Sequence, residues 1–119
     1  MTRFEALRAV RELAACSDGE ISSLLRYTDE VEVSAGDFVA QVGQLCTAFV
    51  VVVQGTVCAG FCQLRPGESF GWDAMWERSV NPATVVADSH ARLLVMSHDQ
   101  FRAVKGATRP RELRVPAPA

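Results

Sequence analysis

The sequence predicts a mainly β fold, an antiparallel sandwich or roll with small helices at both ends. Hydrophobic spacing switches from helical to period two near residue 30. From there, short apolar runs alternate with glycine-bearing turns at Gly36, Gly43, Gly55, Gly60 and Gly67. Capping-box patterns, Ser17 with Glu20 and Ser97 with Gln100, open helical segments near either end.

Taken in order, Phe4 to Ala15 place Leu7, Val10 and Leu13 at helical spacing between charged residues. The box at Ser17 starts a second short helix carrying Ile21, Leu24 and Leu25. Val31 and Val33 alternate with Glu30 and Glu32 as a strand, and Ser34–Asp37 is a turn. Phe38 to Gln41 is another strand. Ala48 to Val53, continuous and mostly β-branched, reads as a strand buried on both faces. Thr56 to Cys58 and Phe61 to Leu64 form a hairpin. Thr84 to Ala87 and Arg92 to Met96 are the last strands, and a helix runs from Ser97 through Phe101 and Val104 to Gly106. Residues 1–106 are expected to form one domain, and 107–119, with three prolines, an extended tail.

Composition narrows the function classes. The chain has 119 residues, 49% hydrophobic and 22% charged, enough for one globular core. The longest apolar run is strand-sized, and the start lacks a signal peptide's apolar stretch, so a cytoplasmic address without membrane insertion is expected. Net charge is −2 overall, but residues 102–119 carry +4 and the first 101 carry −6. The basic tail, with Arg109, Arg111 and Arg114, suits docking on an acidic protein surface or simple solvation, and is too sparse for nucleic acid.

The four cysteines are expected to be reduced. Cys58 and Cys62 face opposite sides of a hairpin turning tightly at Ala59-Gly60, whereas a three-residue loop would set them across from each other. His90 and His98 lack sequence-near metal partners and are expected to face solvent, and no metal site is assigned. The serines sit at caps and turns, and no hydrolase, phosphate-loop or zinc-protease motif is present, so no catalytic residue is assigned and the chain is read as a non-enzyme.

The most informative stretch is Arg65 to Ala87. A Pro66-Gly67 turn leads through Phe70-Gly71 into a short helix-like segment and then the run Ala83-Thr84-Val85-Val86-Ala87. Gly36-Asp37, the Gln41-x-Gly43 turn and the strand ending at Gly55 precede it, and a Ser97-to-Phe101 helix follows the last strand. Together these resemble a cyclic nucleotide-binding domain from about Leu13 to Val104, with a trimmed hairpin between Gly55 and Gly67. The resemblance implies an eight-stranded jelly roll and a phosphate-binding cassette. The cassette equivalents are Phe70, Gly71, Trp72, Asp73, Ala74, Arg78, Asn81, Pro82, Ala83 and Thr84.

In that family a glutamate accepts from the ribose hydroxyl and an arginine neutralises the cyclic phosphate. Here Trp72 stands at the glutamate position and Asn81 at the arginine position. Pro82 removes an N–H that the family commonly offers to the phosphate. A lost charged hydrogen bond costs roughly 1.5–3 kcal/mol and a neutral one about 1, so three losses weaken binding by about three orders of magnitude.

The pocket is therefore read as degenerate, with no cofactor, and the chain as a regulatory or accessory protein that binds a larger protein or complex. Trp72 and Trp76, four apart, either fill the vacated pocket or join Met75 as an exposed partner anchor. The prolines after Gly106 are incompatible with the family's long lid helix, and no DNA-binding segment follows within this sequence. The alternative is a working cAMP or cGMP sensor serving a separate effector, with Arg78 swung toward the phosphate and Trp72 stacked on the purine.

Overall fold

In a computed structural model, which describes residues 1–101, eight strands form two four-stranded antiparallel sheets with helices packed on one of them. The first helix, α1 (Arg3–Arg8), is opened by a capping box between Thr2 and Glu5. It stops short of the Phe4-to-Ala15 span that spacing suggests, because Val10 turns extended and a 3-10 turn, Arg11–Leu13, follows. The break serves packing: Leu7, Val10 and Leu13 are all buried, and Arg8 donates to the carbonyls of Leu13 and Cys16 at 2.8 and 2.6 Å. The second helix, α2 (Asp18–Leu25), starts at the Ser17–Glu20 capping box and buries Ile21 and Leu24.

The strands are β1 (Asp29–Val33), β2 (Phe38–Ala40), β3 (Ala48–Gln54), β4 (Val57–Ala59), β5 (Cys62–Leu64), β6 (Ser69–Phe70), β7 (Val85–Ala87) and β8 (Ala91–Ser97). One sheet is ordered β1-β8-β3-β6 and the other β2-β7-β4-β5. The two-residue strand β6 has no sequence signature of its own; it exists because Ser69 and Phe70 pair with Val51 and Val50.

Period two decides which core each strand residue enters. On β3, Phe49, Val51 and Val53 face the helices, while Val50 and Val52 face the second sheet. On β8, Leu94 and Met96 go to the helices and Ala91 and Leu93 to the interior between the sheets. The apolar run expected to be buried on both faces is therefore buried on both, in two separate cores. In β1, Val31 remains 40% exposed, since the strand lies at the edge of its sheet.

The β4–β5 hairpin turns in two residues, pairing Ala59 with Cys62 and Cys58 with Gln63. Cys58 and Cys62 consequently face opposite sides of the sheet, and none of the four cysteines is in a disulfide. Among the described residues no helix is long and apolar enough to cross a membrane, and no group of three His, Cys, Asp or Glu could hold a metal. The helix read from Ser97 to Gly106 begins as predicted, with Ser97 and Gln100 exchanging capping bonds and residues 98–101 helical. Its remainder, and the 107–119 tail with Arg109, Arg111 and Arg114, lie outside the described residues.

Candidate functional site

The cassette is built from a turn, a glycine hinge and a short helix. Arg65-Pro66-Gly67-Glu68 is a type II turn: proline fixes the second position, Gly67 takes φ 91°, and the Glu68 amide donates to the Arg65 carbonyl at 2.9 Å. Gly67 and Glu68 then bond Val52 at 2.8 and 2.9 Å, which delivers Ser69 and Phe70 to the edge of β3. At Gly71 the chain turns away with φ 91°. A Cβ there would stand 2.3 Å from the Ala48 carbonyl oxygen, so only glycine allows this approach.

Beyond that hinge the chain enters α3 (Asp73–Trp76), whose N-cap is Trp72, a residue with no oxygen to offer the helix amides. Trp72 points into the helix-side core instead. It is 4% exposed and packs edge-to-face on Phe49, Phe101 and Trp76 with centroids 5.1, 5.6 and 5.8 Å apart. Ala74 and Met75 are buried with it, and Trp76 is half-buried against the same cluster. Trp72 is thus a core residue, as one reading of the tryptophans had it, but in a different core. Trp72 does not fill the space between the sheets, and Trp72 with Met75 does not form an exposed anchor, because Gly71 swings the segment under the helices.

After α3 the chain runs antiparallel to residues 43–46. The Cys46 amide bonds the Ser79 carbonyl (2.9 Å), the Asn81 amide the Gln44 carbonyl (2.8 Å), and the Gly43 amide the Asn81 carbonyl (2.9 Å), with Leu45 bridged to Val80. Asn81 is 7% exposed, and its Nδ2 donates to the Gln41 carbonyl at 3.0 Å. Thr84 Oγ1 accepts from the Val42 amide at 3.2 Å, fixing the other side of the same loop. Asn81 thus latches the 41–44 loop to the cassette.

Between these groups lies a cavity of about 90 Å³, bounded by Phe70, Gly71, Asn81, Pro82 and Ala83 from the cassette and by Cys46 and Ala59 across from it. The cassette equivalents border more than one space. Asp73 is exposed and, with Glu12 and Ser69, lines a cleft of about 250 Å³ that Phe70, Gly71, Trp72 and Pro82 also border. Arg78 is exposed in a third cleft with Leu45, Thr47 and His98, and does not border the small cavity. His98 is half-buried, with Nε2 on the Ala74 carbonyl, so it ties the 98–101 turn to α3 instead of facing solvent as expected. His90 is exposed, 3.8 Å from Glu32.

Sequence reasoning missed Cys46 as a wall of this cavity, and Gln41 and Gln44 as walls of an adjoining one of about 140 Å³ that Cys46, Phe70 and Asn81 share. Their pairing with residues 79–81 spans more than thirty residues of chain and leaves no local signal beyond the Gly43 turn. The groups with displaced pKa lie elsewhere: Glu5 is lowered by its bonds to Thr2, Glu30 is lowered and Arg92 raised by their mutual bond, and burial raises Cys16.

The family pattern for the cyclic nucleotide-binding domain matches residues 30–106, and no curated protein matches the chain. Among solved structures, the N-terminal domain of a transcriptional regulator from Streptomyces coelicolor A3(2) aligns at TM-score 0.82 and 23% identity, over 90% of this chain and 81% of that one. A cyclic nucleotide-binding-like protein from Brucella abortus aligns at 0.75 and 19%, over 87% and 97%. The regulatory domain of Toxoplasma gondii PKA, crystallised with cAMP, aligns at 0.77 and 18%, over 85% of this chain and 42% of that one. These identities speak for the fold alone. The family match, spanning well over half of the sequence, says more: the chain belongs to the cyclic nucleotide-binding domain family.

Proposed function

We propose that this domain is a non-enzymatic regulatory or accessory module whose nucleotide pocket is degenerate, and that it acts by binding a larger protein or complex. The observation that carries the reading is Asn81. One N–H of its side-chain amide is spent on the Gln41 carbonyl, and it borders the cavity of about 90 Å³ and, with Gln41 and Gln44, an adjoining one of about 140 Å³. Small-molecule sites run from about 300 to 1,000 Å³, so a nucleotide would need the 41–44 loop to open and the Asn81 bond to break. Among the described residues, nothing charged borders the cavity to compensate for that cost. Trp72 is committed to the helix-side core, and Arg78 belongs to a different cleft.

Isothermal titration with cyclic AMP and then cyclic GMP, to millimolar concentration, tests the reading. No saturable heat and no thermal shift are expected from either ligand. Micromolar binding by either would overturn the proposal and make the chain a sensor with rebuilt contacts.

A further inference from the structure

The cleft beside Arg78 has the chemistry of a docking site. It encloses about 360 Å³ outside the jelly-roll interior, lined among the described residues by Leu45, Cys46, Thr47, Arg78 and His98. These five supply a guanidinium, an imidazole and a hydroxyl without one carboxylate. Other clefts on the same acidic body differ: one combines Glu12 with Asp73, and another sets Glu12 and Glu68 around Arg11.

Arg78 makes no hydrogen bond or ion pair among the described residues, so its planar fork is available for a bidentate bond to an anion. The imidazole is held in place because Nε2 donates to the Ala74 carbonyl, which leaves Nδ1 of the neutral ring to accept an N–H from a ligand. One lip of the cleft is apolar. Leu45, 44% exposed, is bridged to Val80, 56% exposed, and that pairing sets their side chains on the same face.

We propose that this cleft is where the partner protein docks an acidic segment, one carboxylate on Arg78 and an adjacent apolar side chain on Leu45 and Val80. The charge complementarity is what selects this occupant: in a body carrying −6 over its first 101 residues, the described lining of this cleft holds a guanidinium and no carboxylate. The identity of the occupant as a protein segment rests on the function proposed above; the anion chemistry of the cleft does not.

The test is an NMR titration of the isotopically labelled full chain with acetyl-Leu-Glu-Leu-Glu-amide. Parallel titrations use the same peptide with glutamines for glutamates, sodium phosphate, and cyclic AMP. Saturable shifts confined to Leu45–Thr47, Arg78–Val80 and His98, reduced at least tenfold in affinity by Arg78→Ala and absent with the glutamine peptide, are the expected result. Shifts with phosphate alone would make the cleft a small-anion site and overturn the peptide assignment, as would no response or peptide binding unaffected by Arg78→Ala. Cyclic AMP shifts at Gly71 and Asn81 would instead refute the degenerate pocket and leave the cleft result standing by itself.

Discussion

On the helix side of β3, Phe49 meets Trp72, which in turn packs with Trp76 and Phe101 in a cluster of four rings. On the sheet side, Val50 and Val52 meet Val57, Val85, Ala87 and Leu93, with no fully buried aromatic residue among the described residues. The first core is filled by large rigid rings; the second is filled by small aliphatic groups and retains the 90 Å³ cavity at its cassette end. The cassette straddles the two, and Gly71 is where it crosses. Trp72, just past that crossing, is a packing residue of the helix-side core, so the cassette adds its largest ring to the first core and none to the second.

Trp72→Ala should therefore have the largest effect on stability. Removing a buried indole that touches three rings should cost about 3–5 kcal/mol, set by the space left behind. Leu93→Ala, in the opposite core, should fall nearer the lower end of the roughly 2–5 kcal/mol range for aliphatic truncations, because small neighbours can close in. Urea denaturation of the two variants compares the cores directly. Equal losses would mean that the ring cluster adds nothing over the aliphatic core, and a Trp72→Ala cost below about 1 kcal/mol would mean that it contributes less than its buried area alone implies.

That contrast also marks what could be read from residues alone. The continuous, mostly β-branched run Ala48 to Val53 announced a strand buried on both faces, and the Ser17 and Ser97 boxes placed two helix starts to the residue. The glycines of the cassette were legible because each has a backbone reason, as at Gly71. The direction of Trp72 was not legible. It depends on whether the chain after a left-handed glycine continues under the helices or between the sheets, and the four-residue spacing of Trp72 and Trp76 permits both. The exclusion of Arg78 from the cavity was equally hidden, because it follows from the pairing of residues 79–81 with 43–46.

Asn81 tests the sheet-side half of the comparison. Asn81→Ala removes the donor to Gln41 and frees one end of the 41–44 loop. The expected stability loss is about 1 kcal/mol, since the orphaned carbonyl lies on an exposed residue and water can reach it. The sharper readout is local. Amide exchange at Gly43, whose N–H bonds the Asn81 carbonyl, should quicken severalfold while Val50 to Val52 stay protected. A loop as protected as before would mean that its backbone pairing, and not the Asn81 side chain, keeps the cavity closed.

The smallest effect is expected at the rim of the helix-side sheet, where β1 and β8 exchange charge instead of apolar surface. Arg92 Nη2 and Nε bond the Glu30 carboxylate at 2.9 and 3.2 Å, and Arg92 also reaches Gln54 at 3.3 Å. The side-chain hydrogen bond from Arg92 is the main cause that holds Glu30 below its ordinary pKa, with the charges of Arg92 and Arg3 adding to it. A carboxylate lowered on folding stabilises fully above the ordinary glutamate value and loses that contribution as pH falls through the lower, folded one. The thermal midpoint of the parent should therefore exceed that of Glu30→Gln at neutral pH. The gap should close as the pH is taken below the glutamate range, and shrink at neutral pH in about 1 M salt, where the screening length is about 3 Å. Both side chains remain about one-third exposed, so the gap should stay small against the Trp72 effect. A gap that persists undiminished in acid would mean that Glu30 acts through the packing of its stem at the sheet edge and not through its charge.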